Sequence, residues 1–237
     1  MTNTLITGGN KGLGFEAARR LIALGHTVFI GARDREKGEA AAATLGARFV
    51  PLDVTDDASV TAAAATLRQH GGLDVLINNA GISGGRSASD YRPLPVAEMT
   101  ARDVREVYET NVFGVVRVTQ AMLPLLQASA HPVIVNVSSG LGSFGVTTDP
   151  AKFESKVVSL AYCSSKSAVT MLTVQYAKAL PEMKINAVDP GYTATDLNQH
   201  AGHQTLEQGT DAIVRMATIG KDGVTGTFQE RAGTVPW

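Results

Sequence analysis

Thr4-Leu5-Ile6-Thr7-Gly8-Gly9-Asn10-Lys11-Gly12-Leu13-Gly14, continued by an amphipathic run from Phe15 to Leu24, decides the fold. A short apolar strand runs into a glycine-rich turn and then into a helix. That order makes an anion-binding site from free backbone N–H groups and the positive end of the helix dipole. Gly8 allows the tight turn, Gly12 lets a pyrophosphate approach the backbone, and Gly14 lets the helix pack closely on the sheet. The glycines fall as G-x-x-x-G-x-G and so depart from the G-x-G-x-x-G spacing. Glycine clusters also mark ordinary turns; the position between strand and helix is what raises this one above that reading.

Outward from this unit, strands alternate with helices, as in a parallel sheet built from βαβ units. Strands are predicted at Thr4–Ile6, Thr27–Gly31, Ala47–Leu52, Val75–Asn78, Pro132–Val137, Lys184–Val188 and Gly226–Gln229. Helices are predicted at Phe15–Leu24, Arg35–Leu45, Ala58–His70, Ala101–Ala128, Ala161–Leu180 and Leu206–Ala217. Asp34 and Asp56 stand where helix N-caps are wanted. The alanine runs at 40–43 and 62–65 read as helix packed tightly on a sheet.

With 237 residues, the chain is long enough for one α/β domain with a large core. A net charge of −1 with interspersed signs argues against a nucleic-acid or membrane surface. No basic leader with an apolar core and no membrane-length apolar run is visible. Cys163, the single cysteine, cannot form an intrachain disulfide, which points to a reducing, cytoplasmic setting.

The chemistry lies farther along. Ser138-Ser139 closes an apolar run, and Tyr162 and Lys166 follow, four residues apart on one helix face. A phenol ordinarily titrates near pKa ~10. A fixed ammonium beside it is expected to lower that value and make Tyr162 a usable acid or base. A serine hydroxyl can hydrogen-bond the oxygen that the tyrosine protonates.

The ordered set Thr7-Gly8 through Gly12-x-Gly14, Asn78-Asn79-Ala80-Gly81, Asn111, Ser139, Tyr162-x-x-x-Lys166 and Pro190-Gly191 resembles the classical short-chain dehydrogenase/reductases along nearly the whole chain. The wording Thr-Gly-Gly-Asn-Lys-Gly, the Gly31-Ala32-Arg33 after the second strand and the terminal Trp237 look most like the carbonyl-reductase group. The resemblance implies one Rossmann domain over residues 1–237, a doubly wound seven-stranded parallel sheet with helices on both faces. It implies a catalytic set of Asn111, Ser139, Tyr162 and Lys166. Ser139 is chosen over Ser138 on the family pattern alone, and Asn111 would hold a water connecting Lys166 to solvent.

An acid at the end of the second strand binds the 2′-hydroxyl of NAD in proteins of this shape. Arg33 stands there instead, and Lys11 lies in the glycine loop, so NADPH/NADP⁺ is expected over NADH; the competing reading gives the ribose to Asp34. The implied cofactor residues are Gly8, Asn10, Lys11, Gly12, Leu13, Gly14, Arg33, Asp53, Val54, Asn79, Ala80, Gly81, Tyr162, Lys166, Pro190, Gly191, Thr193 and Thr195. Asp53 is equally readable as a strand-end turn residue. Thr195 matches the family threonine on the nicotinamide carboxamide, with Thr193 its rival.

The expected reaction is reduction of a ketone, aldehyde or quinone by NADPH, with Tyr162 as proton donor. The segment from Gly140 to Ala161 is longer than usual, which implies an insertion at about 146–160 and leaves homodimer, homotetramer and monomer all open. A short substrate loop is expected at about 192–208. Phe144, Val146 and Tyr192 are candidates for the substrate mouth, together with Ser139, or for ordinary packing. His200 and His203 lack a Cys or carboxylate cluster, so no metal site is assigned. The alternatives are an NADP(H)-sensing protein on the same fold, against which the retained Tyr162 and Lys166 argue, and alcohol oxidation by the same residues in reverse.

Overall fold

The computed structural model describes residues 2–84 and 94–237. The strands are β1 (Asn3–Thr7), β2 (Thr27–Ala32), β3 (Arg48–Pro51), β4 (Val75–Asn78), β5 (Val133–Val137), β6 (Lys184–Val188), β7 (Phe228–Glu230) and β8 (Gly233–Thr234). They form one sheet in the order β3-β2-β1-β4-β5-β6-β7-β8. Every pair is parallel except β7 and β8, which are antiparallel. The expected seven-stranded parallel sheet is thus corrected by one short antiparallel strand. With two residues, β8 is too short to carry any alternation in the sequence.

The helices are α1 (Gly12–Ala23), α2 (Arg35–Leu45), α3 (Asp57–Gln69), α4 (Ala101–Tyr108), α5 (Gly114–Gln127), α6 (Phe144–Thr147), α7 (Leu160–Ala179) and α8 (Leu206–Ala217). The Asp34 and Asp56 side chains accept from the amides of Lys37 and Ser59, as N-caps should. The long helix expected at 101–128 is interrupted by a π-helical turn at Glu109–Phe113.

Successive strand residues point to opposite faces, and two helical layers collect them. Leu5, Phe29, Leu76 and Ile134 pack with Val60 and Leu67 of α3 and Val118 and Met122 of α5. Ile6, Ile30, Ile77 and Val135 face the other way, onto Ala17 and Leu21 of α1, Ala41 and Ala42 of α2, and Ile213 of α8. The alanine runs are therefore close-packing surfaces: Ala63 and Ala64 are buried like Ala41 and Ala42. Buried amides tie the centre of the sheet together. Asn78 donates to Asn136 Oδ1 at 2.9 Å and to Thr119 Oγ1 at 3.2 Å, and Asn136 donates to Thr173 Oγ1 at 2.9 Å. Among the described residues, no helix is long and apolar enough to cross a membrane.

Strand order reverses between β1 and β4, and sheets of this kind place their ligand crevice beyond the carboxyl ends of such strands. Thr7 holds the two ends together: its hydroxyl accepts from the amides of Asn79 and Ala80, each at 3.0 Å.

Candidate active site

The glycine turn lies directly over this crevice. Gly8 and Gly12 have φ of 65° and 56°, a left-handed backbone that favours glycine. Asn79 donates to the carbonyls of Thr7 and Gly8 at 2.9 and 3.1 Å, so it braces the turn. A Cβ at Gly14 would lie 2.6 Å from both Asn79 Nδ2 and the Gly8 carbonyl oxygen, which explains why the first turn of this helix has glycine there. Gly14→Ala is expected to lower unfolding free energy by about 1–3 kcal/mol in a denaturant titration, as overpacking does; a neutral result would contradict the tight packing.

These residues fit a dinucleotide. Lys11 caps α1 without any side-chain cap bond, so the amides of the first turn keep their donors for an anion. A Cβ at Gly12 would find nothing nearer than Thr195 Cγ2 at 3.9 Å, which marks open space above the turn. Arg33 is exposed at the end of β2. Asp34 is committed to Lys37, through the cap and a 2.9 Å ion pair. Lys11 pairs with Asp196 at 2.8 Å, but both side chains are more than half exposed, so the pair is weak and exchangeable. Asp53 accepts from the amide and hydroxyl of Thr55 at 2.9 and 2.7 Å. Burial would push its pKa up, yet these bonds and the charges of Arg33 and Arg117 bring it below the usual carboxylate range.

The residues expected to transfer the proton gather beyond β5. Ser138 is buried and donates to the Lys166 carbonyl at 3.1 Å, whereas Ser139 hydrogen-bonds the Tyr162 phenol. Lys166 Nζ donates to the Val137 carbonyl at 2.8 Å and lies 5.6 Å from the Tyr162 ring centroid. Asn111, inside the π turn, accepts from the Ile82 amide at 2.9 Å and donates to the Ile82 carbonyl and Ser165 Oγ at 2.9 and 3.0 Å. It and Lys166 both face Gly81, where a Cβ would lie 3.4 Å from Asn111 Oδ1 and 3.6 Å from Lys166 Nζ.

The sequence profile of the short chain dehydrogenase family matches residues 2–206. The chain belongs to the short-chain dehydrogenase family. It is 39% identical over 230 residues to the short-chain dehydrogenase anuI of Penicillium roqueforti, covering 91% of this chain and 88% of that protein. Among solved structures it resembles the NADPH-bound carbonyl reductase from chicken fatty liver, with a TM-score of 0.84, 29% identity and coverage of 100% and 99% of the two chains. Salutaridine reductase from Papaver somniferum superposes with a TM-score of 0.82 and 30% identity over 96% of this chain and 99% of that one.

In this short-chain dehydrogenase, one electrostatic expectation is corrected. Burial pushes the Tyr162 phenol above its ordinary value, the Ser139 hydrogen bond pulls it partly back, and Asp189 and Cys163 raise it further. The Lys166 ammonium donates to the Val137 carbonyl, and burial outweighs what lowers the phenol. The lysine itself is pushed down to about 8 by burial, with Asp189 opposing.

Thr193 and Thr195 also part company. Thr193 is buried and donates to the Pro190 carbonyl at 2.8 Å, while Thr195 stands opposite Gly12. At the mouth, Tyr192 meets Phe153 and His203, with ring centroids 6.2 and 5.9 Å away. Val146 packs against Ala187, Phe228 and Val235, which is a packing role, and Phe144 is 69% exposed. Sequence reading missed Phe153 and Ser165, and weighed His203 only as a metal ligand. The only available signal was an aromatic in the long segment before Tyr162, which gives no partner by itself. His200 pairs with Asp196 at 3.0 Å.

Proposed function

We propose that this short-chain dehydrogenase reduces a ketone, aldehyde or quinone to an alcohol with NADPH, Tyr162 giving the proton. The observation that carries the reading is the Tyr162 phenol, held protonated by burial and hydrogen-bonded to Ser139, beside Lys166, which itself faces Gly81. A protonated phenol is the form a carbonyl reduction needs. The nicotinamide, when bound, supplies the hydride. Ser139 donates to the carbonyl oxygen and fixes its place, and Tyr162 passes its proton to the same oxygen. Lys166 would hold the nicotinamide ribose, with Thr195 and the Pro190–Gly191 turn flanking the carboxamide. Asn111 anchors the Ile82 backbone beside Lys166, and the π turn around it provides the irregular backbone through which a water can reach the lysine. Phe153, Tyr192 and His203 give the mouth an aromatic rim suited to an apolar carbonyl compound.

The cofactor choice is supported by Arg33 at the end of β2 and by the NADPH in the chicken carbonyl reductase. A charge-assisted contact to a 2′-phosphate is worth about 1.5–3 kcal/mol. Arg33→Asp should therefore reduce the preference for NADPH over NADH by about 10- to 100-fold, measured as the ratio of kcat/KM for the two. An unchanged ratio would remove Arg33 from cofactor selection. The function itself is tested by NADPH consumption against a panel of aldehydes, ketones and quinones. Tight NADPH binding without turnover of any of them would favour a cofactor-sensing protein.

A further inference from the structure

Asp189 follows β6 and precedes Pro190, and none of the chemistry above uses it. Its Oδ1 accepts from the Gly191 amide at 2.9 Å, and the Gly140 backbone faces its Oδ2, its amide holding the carboxyl pKa down. A Cβ at Gly140 would lie 2.8 Å from Asp189 Oδ2, so this approach requires glycine there. One carboxylate therefore bridges the turn that presents Ser139 and the turn that presents Pro190 and Gly191. The bridge lies just beyond Val137↔Val188, the last rung between β5 and β6. The carboxylate presents one oxygen to each turn; an asparagine would present an oxygen to one and an NH₂ to the other.

The charge matters as well. Asp189 acts on Tyr162 and Lys166 of α7, raising the pKa of both. Glu154, from the segment before α7, and Glu230 of β7 face Asp189 in turn. Burial and these two carboxylates push its own pKa up, while the Gly191 and Gly140 amides oppose them.

We propose that Asp189 is a positioning residue: its carboxylate fixes the spacing between the Ser139–Gly140 and Pro190–Gly191 turns and sets the field in which Tyr162 and Lys166 exchange protons. The inference rests on the carbonyl-reductase reading above, and its test has arms that do not need turnover. In the full-length protein, Asp189→Asn should exchange the Gly140 and Gly191 amide protons at least about tenfold faster, as local opening becomes easier. Its Lys166 ammonium, followed by NMR, should titrate at lower pH than in the wild-type protein, where the Asp189 charge raises it. Asp189→Glu, which keeps the charge and moves it, should loosen the same amides while shifting the Lys166 midpoint less. With an active substrate, Asp189→Asn should lower kcat by at least about tenfold. The alkaline limb of its kcat/KM profile should move to lower pH. Amide exchange and a Lys166 midpoint both unchanged in Asp189→Asn would overturn the proposal. A wild-type chain inactive on every carbonyl would refute the function instead, and the exchange and titration results would still decide Asp189.

Discussion

Tyr162→Phe is expected to lower carbonyl turnover by about 10²–10⁴-fold, the usual loss when a positioned general acid is removed. The substitution deletes one hydroxyl and keeps the ring, so the packing beside Lys166, 5.6 Å from the ring centroid, survives. Ser139 loses its phenol partner and keeps its bond from the Leu141 amide at 3.2 Å. NADPH affinity, read by fluorescence titration, should change little, because the glycine turn, Asn79 and Arg33 lie on other elements. Single-turnover rates within about tenfold of wild type would mean that another group supplies the proton.

Lys166→Met is expected to produce a stability difference that depends on pH. Burial takes the lysine from its ordinary 10.5 to about 8, so at neutral pH the folded chain carries an ammonium that prefers water. That preference amounts to about 3 kcal/mol, reduced by the 2.8 Å bond to the Val137 carbonyl, which methionine cannot make. The sign follows from proton counting. Between about 8 and 10.5 the unfolded lysine binds more protons than the folded one, so wild-type stability rises with pH across that window. The methionine variant should therefore be the more stable protein at pH 7, and its advantage should shrink as pH passes from about 8 toward 10.5. Denaturant titrations of both proteins across this range measure it; a constant difference would show that Lys166 does not titrate as a buried base. The same variant should bind NADPH more weakly, having lost the group assigned to the ribose.

Much of this molecule was legible in advance because its signals are local. The strand, glycine turn and helix at Thr4–Leu24, the caps at Asp34 and Asp56, and the bounds of β4, β6, α2 and α8 follow from neighbouring residues. What escaped depends on contacts between distant segments. The π turn at Glu109–Phe113 has no periodic signature, since Asn111 earns its place by bonds to Ile82 and Ser165. Tyr162 shows the limit for charges. Spacing puts a lysine on the same helix face, but only the fold reveals that its ammonium is turned to Val137 and that burial dominates the phenol. Asp189 drew no notice in the sequence, because its bond from the Gly191 amide and its approach to Gly140 depend on how two turns meet.

The amide chain through Asn78, Asn136 and Thr173 also bears on how the sheet assembles. A parallel sheet of Val and Ile offers many nearly equivalent alignments, because one aliphatic residue substitutes for another with little penalty. Asn78 and Asn136 occupy the same rung of β4 and β5 and share a hydrogen bond. Sliding either strand by one position would turn its asparagine to the opposite face, against the aliphatic layer of α1 and α8. Each stranded amide would then cost about 1–3 kcal/mol. The polar chain thus discriminates among registers, penalising any misaligned pairing of the two central strands.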